Sequence, residues 1–180
     1  MNTKIRWITQ TAVMLALLIT LQALTKSLGQ LVTGSCVNAV LAISVLLGGV
    51  ACGVTVAVIS PVLAFLLGIA PQVLTVPAIM AGNTVFVLVL YFVAGKRSIL
   101  WRSIIGWIGA AIAKFITLYA LVAGLICGVL ADSLLAAGLL KPPMLQALSA
   151  TFSWPQLFTA LIGGGVALLI VPLLKKALKK

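Results

Sequence analysis

The sequence predicts an all-α polytopic membrane protein, a six-transmembrane-helix bundle with both termini in the cytoplasm. Of its 180 residues, 63% are hydrophobic and only 7% are charged, which is too little charge to cover the surface of a soluble domain. The apolar runs are continuous, and they repeat at about the 20 residues that one helix needs to cross a bilayer core. A membrane β-barrel would instead show short segments of alternating polarity.

Six apolar segments account for the predicted spans, and we assign them to one domain covering residues 1–180. A tight turn at Gly48, Gly49 and Gly53 is expected to join the second span to the third. The fifth span is long enough to tilt. The segment 132–154, which contains two successive prolines and two aromatic residues, is expected to cover part of a cavity. The predicted spans cover residues 8–26, 34–49, 51–69, 76–94, 103–131 and 155–174.

Basic residues concentrate on one side of the predicted bundle. Cytoplasmic loops of membrane proteins are enriched in Lys and Arg, so the richer side is predicted to be cytoplasmic. An even number of spans then puts both basic termini on that side. Because the charges lie at helix ends, the net charge of +11 indicates topology and not nucleic-acid binding. The cytoplasmic set is Lys4, Arg6, Lys96, Arg97, Arg102, Lys175, Lys176, Lys179 and Lys180, whereas Lys26, Lys141 and Asp132 fall outside.

The ionisable residues exclude most catalytic chemistry. The chain has a single acid, Asp132, and no His, so it lacks the usual general acids and bases. Cys36, Cys52 and Cys127 are far apart and have no metal-binding spacing. The segment "AGKRS" at 94–98 lacks the Ser/Thr and the upstream glycine of an ATP-binding loop. We therefore expect no enzyme, metal or cofactor, and no proton coupling through intramembrane acids.

Lys114 is the most informative polar residue because it lies about eleven residues into the fifth span, near mid-bilayer at about 1.5 Å per residue. A lysine there costs about 3 kcal/mol, so it should face a protein interior or a wet cavity. Asn83 and Asn38 lie within the fourth and second spans. We expect these three residues to bind a ligand through its carboxylate, phosphate or ring carbonyl. The alternative is that they only bond to backbone carbonyls or to neighbouring helices.

Four further residues are expected near the mouth of the same pocket, on its outward side. Gln30 and Thr33 belong to the polar stretch between the first two spans, and Gln72 follows the third span. Trp154 precedes the sixth span and offers a ring that stacks on a planar ligand. The alternatives are an ordinary solvated loop and an aromatic belt at the membrane surface.

The order of these features resembles, over nearly the whole chain, the substrate-binding membrane subunits (S components) of energy-coupling factor transporters. The opening "TAVMLALLITLQALTK" resembles the first helix of that family, and Ala12 and Ala16 match its AxxxA docking motif for the coupling subunit. The block from "LLGGVACG" to "MAGNTVFVLV" is similar to the family's central hairpin and fourth helix. The segment "AAIAKF" resembles its fifth helix.

The resemblance implies a multi-pass protein of a bacterial plasma membrane that captures a vitamin or another small organic micronutrient from outside. Its implied partners are a coupling transmembrane subunit and two ATPase subunits, whose ATP hydrolysis makes the S component topple in the bilayer. Two alternatives remain at this stage. One is a passive channel or facilitator, and the other is a structural subunit of a membrane complex in which Lys114 pairs with a partner's acid.

Overall fold

The computed structural model describes residues 3–69, 72–94 and 100–178, and within these residues it is all-helical, with no β-strand. Short 3-10 turns at Lys26–Leu28 and Val73–Thr75 precede the second and third helices. The α-helices are α1 (Thr3–Thr25), α2 (Gln30–Leu66), α3 (Val76–Ala94), α4 (Leu100–Leu118), α5 (Ala131–Ala136), α6 (Pro142–Thr151) and α7 (Trp154–Leu178).

Five helices of the described chain are long and apolar enough to cross a membrane. Three of them are α1, α2 and α3. The fourth is α4 together with the π-helix Tyr119–Val129 that continues it, and the fifth is α7 together with α6, which precedes it. These helices make the chain compatible with a multi-pass membrane protein, as the composition predicts.

The helix α2 is folded back on itself at Gly49, whose φ of 83° and ψ of 178° lie outside the helical region. An ideal Cβ at Gly53 would lie 2.7 Å from Val45 Cβ, whereas eight residues of straight helix would separate them by about 12 Å. The arms 30–48 and 50–66 are each about 25–28 Å long. The predicted turn is therefore confirmed, but it needs Gly49 alone. The prediction that Gly53 lies in the turn is wrong, because Gly53 is helical and packs against Val45 and Val87.

The predicted fifth span continues beyond α4 as a π-helix, Tyr119–Val129, so the chain is not broken at Gly124. The wider π turn is unusual over eleven residues, since such turns mostly occur singly. After it, the segment 132–154 forms the short helices α5 and α6, of which α6 packs against the π-helix.

The folded helix α2 is central to the packing, because it contacts α1, α3 and α7, while α4 packs on α3 and α7. Small residues allow these close crossings. An ideal Cβ at Gly163 in α7 would lie 2.7 Å from Ala39 N in α2, and one at Gly82 in α3 would lie 2.6 Å from Leu118 Cγ in α4. Trp107 Nε1 of α4 donates a hydrogen bond to Leu161 O of α7 at 2.9 Å.

Two buried apolar clusters divide the bundle along its length. The larger cluster occupies the half near Gly49 and includes Leu41, Val45, Phe86 and Leu90. The smaller cluster lies beneath α6, where Leu148 and neighbouring side chains meet the π-helix. The polar residues described below lie between and beside these clusters.

The alternative of a solvated loop between the first two predicted spans is wrong for residues 30–33. Helix α2 begins at Gln30, so Thr33 and Ser35 are helical. Their hydroxyls bond to backbone carbonyls, Thr33 Oγ1 to Thr25 O at 2.7 Å and Ser35 Oγ to Leu31 O at 2.6 Å. Polar side chains that are satisfied in this way are compatible with a helix.

Candidate ligand-binding site

A cavity of about 400 Å³ lies at the end of the bundle where α1 ends and α2 begins. Its volume is within the range of small-molecule sites, about 300–1,000 Å³. Met144 and Leu148 of α6, together with Phe152 just after it, form one wall and belong to the segment expected to cover a cavity. The polar lining residues are Gln22, Lys26, Gln30, Thr33, Asn38, Gln72, Asn83, Lys114, Thr151 and Gln156.

The deep end of the cavity is a cluster of three residues from three helices. Lys114 Nζ donates hydrogen bonds to Asn38 Oδ1 at 2.6 Å and to Asn83 Oδ1 at 2.7 Å. Lys114 is 3% exposed, and the two asparagines are 1% exposed. The ammonium also lies 5.7 Å from the centroid of the Phe86 ring, within cation–π range. The structure thus brings together the three polar residues that the sequence predicted at the deepest part of the site.

A second layer of hydrogen bonds orients Asn38. Its Nδ2 donates to Gly34 O at 2.9 Å and to Thr159 Oγ1 at 3.3 Å. Thr159 Oγ1 in turn donates to Gln156 O at 3.0 Å. Because Asn38 Nδ2 is held by these acceptors, its Oδ1 is left to face the ammonium of Lys114. This assignment of the amide follows from the network of hydrogen bonds.

Lys114 has no carboxylate beside it. The single acid of the chain, Asp132, lies exposed on α5 and does not line the cavity. A buried cation without a counter-ion carries a desolvation cost that neutral amide oxygens offset only in part. The deep end is therefore suited to a group that brings negative charge or a strong acceptor.

Two buried polar atoms that belong to lining residues have no hydrogen-bond partner among the described residues. They are Asn83 Nδ2, a donor, and Gln22 Oε1, an acceptor. Buried polar groups in native proteins are nearly always paired, so an unpaired one needs an explanation. A ligand that fills the cavity would supply the missing partners.

The rim of the cavity is more exposed than its deep end. Lys26 Nζ donates to Gly68 O at 2.6 Å and so ties the end of α1 to the loop after α2. Gln72 Nε2 contacts Met144 Sδ at 3.7 Å, which is a weak interaction. Gln30 lies exposed at the rim, and Thr33 is half-buried beside it. Gln30, Thr33 and Gln72 thus lie near the opening, where the sequence predicted them.

Trp154 does not line the cavity. Its side chain is 63% exposed, and its ring stacks on Phe115 with the centroids 5.4 Å apart. The expectation that Trp154 stands at the mouth is corrected accordingly: the first turn of α7 turns this ring outward, whereas Gln156, two residues later, faces the cavity.

Ala12 and Ala16 are exposed on the surface of α1 and do not line the cavity. They share their face with exposed apolar side chains such as Ile8, which is 57% exposed. The pair therefore lies where another membrane helix has access to it.

Among the polar lining residues, sequence reasoning missed Thr151 of α6 and two glutamines that belong to the predicted spans, Gln22 and Gln156. Each glutamine is a polar residue near the end of an apolar span, the same signal that identified the two asparagines. That signal is weaker near a span end, because polar residues there are ordinarily solvated.

Comparisons with known proteins found no match for this chain, either among protein-family models or among curated proteins or solved structures.

Proposed function

We propose that this chain is the substrate-binding S component of an energy-coupling factor importer, and that it captures a vitamin or another small organic micronutrient. The single observation that carries the proposal is the cavity of about 400 Å³ with Lys114, Asn38 and Asn83 at its deep end. A buried polar cluster inside an apolar bundle is costly, and it is expected where a ligand must be recognised.

The distribution of charge supports a cavity that opens away from the cytoplasm. Gln22 and Gln156 line the cavity, while the basic residues on the same two helices lie near the other ends. Lys4 precedes Gln22, and Lys175 follows Gln156, by about 27–28 Å of helix, close to one bilayer core. Under the positive-inside rule, both termini are then cytoplasmic, six crossings follow from the fold at Gly49, and the cavity faces outside. Lys96, Arg97, Lys179 and Lys180 belong to the same predicted set but lie outside the described residues.

The packing beneath the cavity favours a binding protein over a channel. Leu41, Phe86 and Leu90 are at most 1% exposed, and they lie on the cytoplasmic side of the Lys114 cluster under this topology. A close-packed apolar core has no path for a hydrated solute. A bundle of this kind delivers its ligand only if it moves or is moved, which is the role the ATPase module plays in these importers.

The exposed stripe on α1 supports a docking role for Ala12 and Ala16. Small side chains let two helices approach closely in a bilayer, where association depends on packing. The stripe is also free of charge between Arg6 and the end of α1. Such a face can slide and release as the partner rearranges.

The test is purification of the chain from its native host in mild detergent, followed by mass spectrometry of the proteins and small molecules that come with it. We expect two related ATPases and one larger membrane subunit. Ala16→Trp should remove them, since the indole blocks close approach. Ala120→Trp is the matched control, because Ala120 is also an exposed alanine but lies on the π-helix.

Three outcomes would count against the proposal. The ATPases are absent even after crosslinking, Ala16→Trp retains them as well as the control does, or the chain alone passes solute into liposomes. The last result would establish the channel alternative.

A further inference from the structure

The charged side chains that line the cavity are all basic. Lys26 and Lys114 line it, and no acid does. The only acid of the chain, Asp132, is exposed on α5. An ammonium taken out of water is most stable beside an anion, and no described residue provides one.

The deep end offers hydrogen-bond donors, whereas both asparagine oxygens already accept from Lys114. A lysine ammonium has three N–H donors, and Lys114 gives two of them to the asparagine oxygens. Asn83 Nδ2 is buried and has no hydrogen-bond partner among the described residues. Each Oδ1 accepts from Lys114, and its second lone pair lies beside the ammonium. The third N–H of Lys114 and Asn83 Nδ2 therefore favour a ligand group that accepts hydrogen bonds.

The number of donors matches a carboxylate better than a phosphate. A phosphate monoester carries about two negative charges and three strongly accepting oxygens, and it is usually held by several Arg side chains or by free backbone N–H groups. The deep end has one cation and one free amide. Asn38, Asn83 and Lys114 all lie within helices, whose backbone N–H groups are already bonded. A carboxylate, with one charge and two oxygens, fits this set.

The remaining lining residues and the cavity volume indicate the polarity and the size of the rest of the ligand. Its walls include Val37, Ile79, Leu118 and Phe152, which suit an apolar body. The amides of four glutamines also line the cavity, Gln30 and Gln72 near its opening and Gln22 and Gln156 at less exposed positions, and an amide can both donate and accept. The volume of about 400 Å³ equals that of roughly a dozen liquid water molecules.

From these observations we propose that the cavity binds a small organic monocarboxylate, with the carboxylate on Lys114 and Asn83, an apolar body, and neutral hydrogen-bonding groups at the opposite end against the glutamines. This inference rests on the proposed function for the ligand's role as cargo, but its chemistry depends only on the cavity.

The test is binding of matched probes to the full chain in detergent, followed by thermal stabilisation or calorimetry. The panel consists of small monocarboxylates of about a dozen non-hydrogen atoms, a size taken from the cavity volume, and includes acetamidocaproate. Each acid is paired with its primary amide, which keeps the shape and removes the charge, and with its phosphonate. We expect at least one acid to bind about tenfold or more tightly than its amide, a difference typical of a charge-assisted hydrogen bond.

Variants test whether Lys114 causes the preference for the acid over the amide. Lys114→Gln keeps a donor but removes the charge, so acid and amide should bind about equally. Lys141→Gln is the matched control, because Lys141 is exposed and does not line the cavity, and this variant should keep the acid preference. The comparison of acid with amide on the wild-type chain tests the ligand class even where Lys114→Gln is poorly folded.

Each adverse result has a distinct meaning. Amides that bind as well as acids, tighter binding of phosphonates, or a panel in which no acid binds would each overturn the monocarboxylate assignment. An acid preference unchanged in Lys114→Gln would overturn the role of that lysine. Acid binding without co-purified ATPases would overturn the importer proposal but not the assignment of the ligand class. Co-purified ATPases without acid binding would overturn the ligand class but not the importer proposal.

Discussion

The crossing of α2 and α7 gives the sharpest test of the packing, through the substitution Gly163→Ala. The added Cβ would lie 2.7 Å from Ala39 N and 2.7 Å from Asn38 Cβ, and it would also contact Ser35 O. Two of these are backbone atoms, so rotation of a side chain cannot relieve the clash. The helices must separate by several tenths of an ångström, and the shift displaces Asn38 from Lys114.

The size of the effect follows from two opposing terms. Overpacking a well-packed site costs about 1–3 kcal/mol. Replacing a helical glycine with alanine returns about 0.5–1 kcal/mol through backbone entropy. The net loss lies between about 0 and 2.5 kcal/mol, and its middle value of about 1 kcal/mol corresponds to a fall in Tm of about 2–4 °C for a chain of this length.

The assay is thermal unfolding in mild detergent, with Gly109→Ala as the matched control. A Cβ at Gly109 would meet only Val89 Cγ1, at 3.9 Å, an ordinary contact. Gly109→Ala should therefore be neutral or slightly stabilising, while Gly163→Ala should be less stable and should bind ligand more weakly. Equal Tm values for the two variants would refute the close crossing of α2 and α7.

Three further predictions follow from single residues. Lys114→Met should weaken ligand binding by about tenfold or more, the loss of a charge-assisted hydrogen bond, while the protein still folds; wild-type affinity in a titration would remove Lys114 from the site. Trp154→Ala should leave ligand affinity within about twofold, because surface changes have small effects, whereas Gln156→Leu should weaken it; the reverse order in the same titration would contradict the cavity boundary. Gly49→Val should lower stability by about 1–2 kcal/mol or more, since a side chain at a φ of 83° is strained, and an unchanged Tm would contradict the fold of α2 at this residue.

The membrane-helical class could be predicted from the sequence because length and hydropathy determine it almost alone. The residues at which helices begin, end or turn were harder to predict. At Gly48, Gly49 and Gly53 the composition indicated a turn, but only the backbone shows that Gly49 alone leaves the helical region. At Gln30 and Thr33 a polar stretch left a solvated loop open as an alternative, although a hydroxyl bonded to a backbone carbonyl, as at Thr33, is compatible with a helix.

The candidate site could likewise be predicted only in part. Lys114, Asn38 and Asn83 could be predicted as a group because each is a polar residue in an apolar span. Their mutual hydrogen bonds depend on which helix faces meet, and that depends on close crossings such as the one at Gly163. The outward direction of Trp154 likewise follows from how α7 is rotated in the bundle. Periodicity along one helix does not carry this information.

If the cavity binds a carboxylate as proposed, the cation at its deep end would also link occupancy of the cavity to membrane voltage. A protonated Lys114 without a counter-ion is a net charge inside the bilayer, and the field acts on it with about 2.3 kcal/mol per charge for each 100 mV across the full membrane. A bound carboxylate makes the pair neutral and removes that force. The empty and the loaded bundle would therefore differ by one charge in any tilting or translation that carries the deep end through the field, and the two would respond differently to the same membrane potential.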